Sequence, residues 1–348
     1  MLGETSSKPS QYILIPCLGA GMGSVLQGAV SGLLYAEITG RIPLVYWHPY
    51  CKYLKNDPDV FQNAFLDFYQ QLPSLNVETL FASAPTTFPA DVELDTLHDV
   101  LSEFHRRLGE QDSHLEQMQS QEAQESNLLI FPSYISMGKV MNLLADNHQL
   151  KCESREEVAA YIAKKYFRLK AALLRKVDKF WTEHFNHKKH VVTVHIRGGD
   201  KYQESIMPRF SRYKDEVDRY IRQYPEAGIF LATDSTSGVT YFKKHFGDKV
   251  VTAPAFRSSG RQGVHKSGED GQRIGNEILF DVECLSRGNH FIGFDESNVY
   301  FWVCQMTENG WDNQFSHLSV RSGLKEIFTS RQSLKSAVKD YWKKVSCS

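Results

Sequence analysis

Twice along this 348-residue chain, short runs of apolar and β-branched residues alternate with stretches whose apolar positions recur at helical spacing. That alternation constrains the fold more than any single motif, because strand, crossover helix and second strand build a parallel sheet with helices on its faces. Tyr12-Ile13-Leu14-Ile15, a glycine turn at Gly19 to Gly23, a helix over Val25 to Ile38 and a strand at Pro43 to Trp47 spell the first unit. The pattern resumes at His190. Strands at Val191–His195, Ile229–Ala232, Val250–Val251 and His290–Gly293 alternate with helices at Ser211–Gln223, Gly238–His245, Asn276–Ser286 and Ser297–Met306. The length exceeds that at which one core keeps growing. The expected architecture is α/β, with two Rossmann-like domains facing a cleft, over residues 1–187 and 188–322. The amphipathic stretch Gly323 to Val345, within 323–348, is expected to form a helix packing across both.

Between the two units the signals are weaker. Residues 50–110 read as irregular, with Phe61, Phe65, Phe68 and Tyr69 at near-helical spacing, and Glu110 to Asn127 reads as a polar, Gln-rich loop or solvated helix. Asn127 to Pro132 looks like a further strand. Ser154-Arg155-Glu156-Glu157 has the form of a capping box opening a long helix to Phe185, and the basic run Lys164 to Lys179 reads as the solvated face of that helix.

Charge and cysteine usage exclude several classes. Forty Lys and Arg against forty-one Asp and Glu give a net charge of −1, so no global field draws the chain to nucleic acid. Six scattered cysteines, without a CxxC pair, read as reduced thiols. Met1 to Ser10 lacks the layout of a secretion signal. Pro9 to Tyr35 carries no charge, but its glycines and Pro16 punctuate it as strand, turn and buried helix, not as a membrane span. A cytoplasmic enzyme is the simplest expectation.

Chemistry concentrates in Val191-Val192-Thr193-Val194-His195-Ile196-Arg197-Gly198-Gly199-Asp200-Lys201, where a buried strand runs into a loop holding His, Arg, Asp and Lys. Ligands of open α/β sheets bind at such carboxyl ends, and an Arg near a Lys suits a diphosphate; the plainer reading is a charged strand end. Asp234, closing the next strand, falls on the same rim. Glu204 is a conditional general base, since only neighbours that raise its pKa make a loop carboxylate useful. Gly19-Ala20-Gly21-Met22-Gly23 mimics a dinucleotide fingerprint, yet Tyr46-Trp47-His48 stand where an acidic ribose partner belongs. Those glycines either permit close helix-to-strand packing or hold an anion at the helix start. Asp57-Pro58-Asp59 is the only Asp-x-Asp, in a loop, and is discounted as a metal site.

His195 to Lys201 resembles the HxRxxDK segment of α1,6-fucosyltransferases, the family of core N-glycan and bacterial nodulation-factor enzymes. Gly21 to Leu26 with Thr39-Gly40-Arg41 resembles the family's opening, Leu231 to Asp234 its second motif, and Leu279-Phe280-Asp281 through Ser297-Asn298 its third. The resemblance implies a two-domain GT-B type glycosyltransferase, inverting and metal-independent, that moves L-fucose from GDP-fucose to a glycan hydroxyl in α1,6 linkage. It implies Arg197 and Lys201 as the diphosphate clamp and Glu204 as base, with Tyr213 at the family's downstream spacing. It also implies a donor-binding set of His195, Asp200, Asp234, Asp281, Ser297, Asn298, Gly21 and Gly23. Asp281 would read the guanine and Ser297 with Asn298 would contact the diphosphate. No metal or other cofactor is implied; the partners are GDP-fucose and an oligosaccharide or glycoconjugate acceptor.

Three departures accompany this. Gly198 replaces the family's second arginine, which turns attention to Arg257, Arg261, His265 and Lys266 as substitutes; Glu204 lies one residue closer to Lys201 than usual; and Asn298 stands where Gln is typical. The resemblance makes the N-terminal domain the acceptor side, where Trp47, His48, Tyr50 and Tyr53 either stack on the sugar rings of an acceptor, whether a chitin oligosaccharide, an N-glycan or a bacterial surface glycan, or belong to the core. Two rival readings stay open, a non-catalytic GDP-sugar or glycan-binding module and a nicotinamide-dependent oxidoreductase.

Overall fold

A computed structural model of the protein describes residues 10–17, 19–56, 59, 61–71, 75–84, 86–107, 109–198, 206–258, 268–307 and 314–318. The expected 323–348 helix lies outside them. The chain divides into two units, Met1–Lys170 and Ala171–Ser348, each built on a parallel sheet as the alternating pattern requires.

In the first unit the strands are β1 (Tyr12–Pro16), β2 (Ile42–Tyr46), β3 (Tyr69–Gln70), β4 (Thr87–Phe88), β5 (Leu128–Ile130) and β6 (Arg168–Leu169). The main sheet runs β2-β1-β5-β4, all parallel, while β3 and β6 pair antiparallel as a small ribbon. Ile13, Leu14 and Ile15 are fully buried, the continuous apolar strand that helix-covered parallel sheets need. Burying each contributes roughly 1.5–3 kcal/mol. The helix Met22–Thr39 rests directly on β1. A Cβ at Gly32 would sit 2.7 Å from Ile15 Cγ2, so only glycine allows that approach. Arg41, from the motif that resembles the fucosyltransferase opening, is buried and fully structural. Its guanidinium donates to the carbonyls of Tyr12 (3.2 Å), Ser126 (2.9 Å), Ala123 (2.7 Å) and Gln124 (3.1 Å), tying the start of β1 to the approach of β5.

The middle of the chain holds more helix than expected. Val77–Ser83 and Leu97–Arg106 lie in the stretch read as irregular, while Gln111–Met118 and Gln121–Glu125 bear out the helical one of the two readings of the Gln-rich segment. The capping box is present, with Ser154 N–H donating to Glu157 Oε2 at 2.8 Å and Glu157 N–H to Ser154 Oγ at 3.2 Å. The long helix that follows it is broken. It ends at Tyr166, and a second one runs Ala171–Phe185. Between them Phe167 packs its ring 5.3 Å from Tyr69, and Lys170 N–H donates to Phe68 O at 2.9 Å. Pairing with β3 takes over the backbone groups that a continuous helix would use. Helical periodicity survives on both sides of the break, which hides it from a pattern reading.

The second unit carries β7 (Val191–Ile196), β8 (Gly228–Thr233), β9 (Val250–Val251), β10 (His290–Phe294) and β11 (Gln314–Leu318), in the order β11-β10-β7-β8-β9 with every pair parallel. Val192, Val194 and Ile196 face Tyr213 and Val217 of the helix Phe210–Gln223. On the opposite face Thr193 donates to Leu285 O, at 2.9 Å, of the helix Gly271–Ser286. Helix Ala171–Phe185, expected in the N-terminal domain, belongs to this unit. Phe180 packs against Phe280 at 5.3 Å and Phe230 at 6.0 Å, and Arg287 pairs with Asp178 at 2.7 Å. Its apolar stripe is buried there, so the division falls before the helix and not after it. Among the described residues no helix is long and apolar enough to cross a membrane.

Candidate functional site

The register of the second sheet brings three chain segments to one carboxyl rim. His195 pairs with Ala232 of β8 and Gly293 of β10, so Arg197, Asp234 and the segment Asp295 to Ser297 all follow the ends of adjacent strands. Arg197 Nη1 is ion-paired with Asp234 Oδ2, both side chains largely buried. The other carboxylate oxygen accepts the Gly198 N–H at 2.7 Å. Asp234, expected to touch a donor, thus spends both oxygens on the β7 loop. A guanidinium carries five donors in one plane, so gripping Nη1 fixes the plane the others share. Asp200, Lys201 and Glu204, the rest of the expected clamp and base, lie outside the described residues.

Gly198 has a physical reason to be glycine. A Cβ there would lie 2.9 Å from Asp234 Oδ1 and 3.2 Å from Ser235 Cβ. The missing second arginine is therefore coupled to the pair, since a side chain at 198 pushes against the carboxylate that holds Arg197.

His195 is buried beside this pair, with Nδ1 unpartnered. Burial first, and the Arg197 charge second, push its pKa down to about 3, so the imidazole is neutral. Asp281 projects from the helix Gly271–Ser286, half-buried, with Oδ1 enclosed and without a partner. Burial raises its pKa to about 7, against the pull of Arg257 and with a further push from Glu277. Arg257 is committed to its own loop, donating to Ala253 O (2.6 Å) and Ala255 O (3.1 Å), while Nε is enclosed and unpartnered. Glu277 fastens that loop to the helix by accepting the Phe256 N–H at 2.7 Å. Arg261, His265 and Lys266, the other candidates of that loop, lie outside the described residues. A carboxylate and a guanidinium with unmade hydrogen bonds, close enough to sense each other, are unusual in a finished core and usual where a polar ligand completes the set.

Ser297 is buried and caps the helix Asn298–Met306. Its N–H donates to Phe294 O at 3.0 Å, and its hydroxyl makes no capping bond to the first turn. Asn298 is exposed at the helix start. One further residue of this rim escaped the sequence reading. Asp295 directly follows β10, as Asp234 follows β8, and its Oδ1 is enclosed and unpartnered. An Asp immediately after an apolar strand was the available signal. Tyr213, at the family's downstream spacing, belongs to the core of this unit. It is fully buried in the core, its hydroxyl unpartnered, and burial followed by the Asp295 charge raises its pKa strongly. It packs the sheet.

Gly21 and Gly23 lie in the first unit. Gly21 precedes the helix Met22–Thr39, but the Met22 N–H there already donates to Tyr53 Oη at 2.5 Å, and Gly23 is buried in the first turn. A close approach to the sheet is made by Gly32, whereas a Cβ at Gly21 would meet only Tyr53 Oη, at 4.0 Å. For Trp47 and Tyr53 the core reading holds. Both are core residues, Trp47 edge-on to Phe65 at 5.2 Å, and neither has a face to offer a sugar. Asp59 pairs with Lys55 at 3.2 Å on the surface, whereas Asp57 lies outside the described residues. Among the described residues, no group of three or more His, Cys, Asp or Glu is placed to hold a metal ion.

No protein-family model and no curated protein matches the sequence. The fold does match solved structures. NodZ α1,6-fucosyltransferase soaked with GDP-fucose is 20% identical and aligns over 86% of this chain and 93% of its own, with a TM-score of 0.55. Fucosyltransferase NodZ from Bradyrhizobium is 19% identical over 85% of this chain and 92% of its own, with a TM-score of 0.52. POFUT1 in complex with GDP is 12% identical over 90% of this chain and 99% of its own, with a TM-score of 0.50. Two Rossmann-like α/β units in one chain, the GT-B arrangement of these fucosyltransferases, is therefore the fold of this protein.

Proposed function

We propose that the protein is a fucosyltransferase that takes L-fucose from GDP-fucose. The observation that carries the reading is the Arg197–Asp234 pair at a carboxyl rim, in a chain whose fold aligns over most of its length with a structure soaked with GDP-fucose. Arg197 is the diphosphate clamp, oriented by Asp234; Asp281 reads the guanine edge; Ser297 and Asn298 meet phosphate oxygens at the helix start. Lys201 adds a second cation, and Glu204 is the base. The transfer is inverting, metal-independent and α1,6. The base takes the proton of the acceptor hydroxyl, the oxygen bonds to the anomeric carbon, and the bond to the phosphate oxygen breaks with its electron pair leaving on GDP. Preorganised cations facing that developing charge are the main source of rate. A cytoplasmic location belongs to the same reading, since the five described cysteines are all free.

Calorimetric titration with GDP, GDP-fucose and NAD, followed by mass spectrometry of acceptor mixtures, tests it. Binding of GDP with transfer of a deoxyhexose mass is expected. NAD binding without GDP binding overturns it in favour of an oxidoreductase, and GDP binding without release of GDP from GDP-fucose in any acceptor mixture leaves a binding module.

A further inference from the structure

In the first unit β1 and β2 lie side by side and parallel, and their register ends with Pro16 opposite Tyr46. The segments that follow therefore leave the same edge of the sheet. Each carries a cysteine there, Cys17 directly after β1 and Cys51 in the loop after β2. Both are buried, each 6% exposed, and both are free thiols. The two thiols are hydrogen-bonded to each other. Further contacts hold the two loops together around them. Cys17 also makes a hydrogen bond to the backbone of Tyr50, the Cβ position of Gly19 lies 3.5 Å from Tyr50 O and 3.8 Å from Tyr50 Cβ, and the Met22 N–H donates to Tyr53 Oη at 2.5 Å.

Other cysteines keep different company. Cys304 is hydrogen-bonded to Tyr300 of its own helix, Cys284 sits near Asp281, Arg287 and Glu283, and Cys152 is exposed. A buried cysteine by itself is a small apolar filler. Two thiols in hydrogen-bond contact are more than that, because a disulfide makes strict demands on distance and direction that most cysteine pairs fail. Cys17 and Cys51 meet across two loops, and loops can absorb the small shift that separates contact from a bond. Burial first, and Cys51 next, push the Cys17 thiol well above its usual range. A thiol so raised attacks slowly, which leaves Cys51 to open any exchange.

We propose that Cys17 and Cys51 are a redox-modified pair, a reversible disulfide clasp that pins the turn after β1 to the loop after β2. The oxidant is a small-molecule disulfide, such as glutathione disulfide. Cys51, as thiolate, bonds to one glutathione sulfur, and the glutathione S–S bond breaks with its electron pair leaving on the other glutathione. Cys17, as thiolate, then bonds to the Cys51 sulfur, and the bond from Cys51 to glutathione breaks with its pair on the second glutathione. The protein pair loses two electrons and two protons, and two glutathione thiols receive them. In a reducing compartment the clasp stays open, and it closes when the thiol poise turns oxidising. It is independent of the reaction assigned to the second unit.

The test equilibrates the full chain in glutathione buffers from reducing to oxidising, starting both from reduced and from oxidised protein, followed by acid quench, alkylation and peptide mapping by mass spectrometry. A linked Cys17–Cys51 peptide pair is expected, two hydrogens lighter than the separate peptides and reopened by dithiothreitol. Closing the loop between residues 17 and 51 restricts the unfolded chain, so the Tm of the oxidised form should rise by roughly 5–10 °C. Cys51→Ser and Cys17→Ser should each remove both the link and the redox dependence of Tm. Should a variant fail to fold, the mapping of the unaltered chain decides alone. Both thiols still alkylated in oxidising buffer from either starting point, either thiol linked to Cys152 instead, or a Cys17–Cys51 link that leaves Tm unchanged overturns the clasp.

Discussion

The two units end their parallel sheets in rims of similar topology and opposite chemistry. Behind β7 and β8 stand an ion pair, Arg197–Asp234, and the half-buried acid Asp281; behind β2 stand His48, His98, Tyr46 and Tyr50. The sheet supplies the place and the side chains supply the chemistry. Each rim nevertheless buries a histidine whose pKa falls far below 6.5, His195 to about 3 and His48 to about 4. A depressed folded pKa contributes stability that is present above 6.5 and lost as pH falls toward the folded value. Both units should therefore lose stability between pH 6.5 and 4, and acid sensitivity cannot tell the rims apart. Ligand charge can.

The largest effect expected is that of Arg197→Ala. Removing a preorganised donor of this kind lowers turnover by about 10²- to 10³-fold. Steady-state kinetics beside circular dichroism check it. A folded variant with near-normal fucose transfer would erase the distinction between a charged rim and a neutral one.

Asp234→Ala comes next. The carboxylate touches Arg197 and the Gly198 N–H, so its loss misplaces the guanidinium without removing it. A misplacement of about 1 Å costs up to about 10²-fold. The double variant with Arg197→Ala should be no worse than Arg197→Ala alone, because the two act as one unit. Additive losses would instead make Asp234 an independent contact to the donor.

Gly198→Arg sharpens the comparison by adding charge to the charged rim. By composition it restores what the α1,6-fucosyltransferase resemblance lacks; by geometry it forces a Cβ against Asp234 Oδ1. Overpacking of this kind costs about 1–3 kcal/mol, so a lower Tm and weaker GDP binding are expected. Tighter GDP binding at unchanged Tm would show that the carboxylate yields freely.

Strands β1, β2, β5, β7, β8, β9 and β10 were legible because buried parallel strands are continuous apolar runs, whereas β3, β4, β6 and β11 were not; Arg197 and Asp234 were legible because each follows such a run. Their pairing was not, since it depends on β7 lying beside β8, which no local pattern encodes. The break at Phe167 was invisible for a related reason, as the partner that takes its backbone bonds is β3, about a hundred residues earlier. Trp47 and Tyr53 stayed ambiguous because aromatic clusters look alike in cores and in sugar sites. His98, on a helix read as irregular chain, carried no signal until that helix brought it to His48.

The smallest effect is a pH dependence confined to the charged rim. Burial raises Asp281 to about 7. In the free protein this stabilises the protonated form, and that contribution is present below the unfolded carboxyl range and lost as pH rises through about 7. Guanine presents N–H donors on its Watson–Crick edge, so a carboxyl that reads it must ionise. GDP affinity should then weaken about tenfold per unit below pH 7, be about twofold short of its limit at pH 7, and level off above pH 8. Calorimetry in two buffers of different ionisation enthalpy should detect one proton released per GDP bound near pH 6, and Asp281→Asn should remove both the slope and the proton. A GDP affinity flat from pH 6 to 8 would detach Asp281 from the guanine and leave the proposed diphosphate contacts of Arg197 and Lys201 to carry the donor.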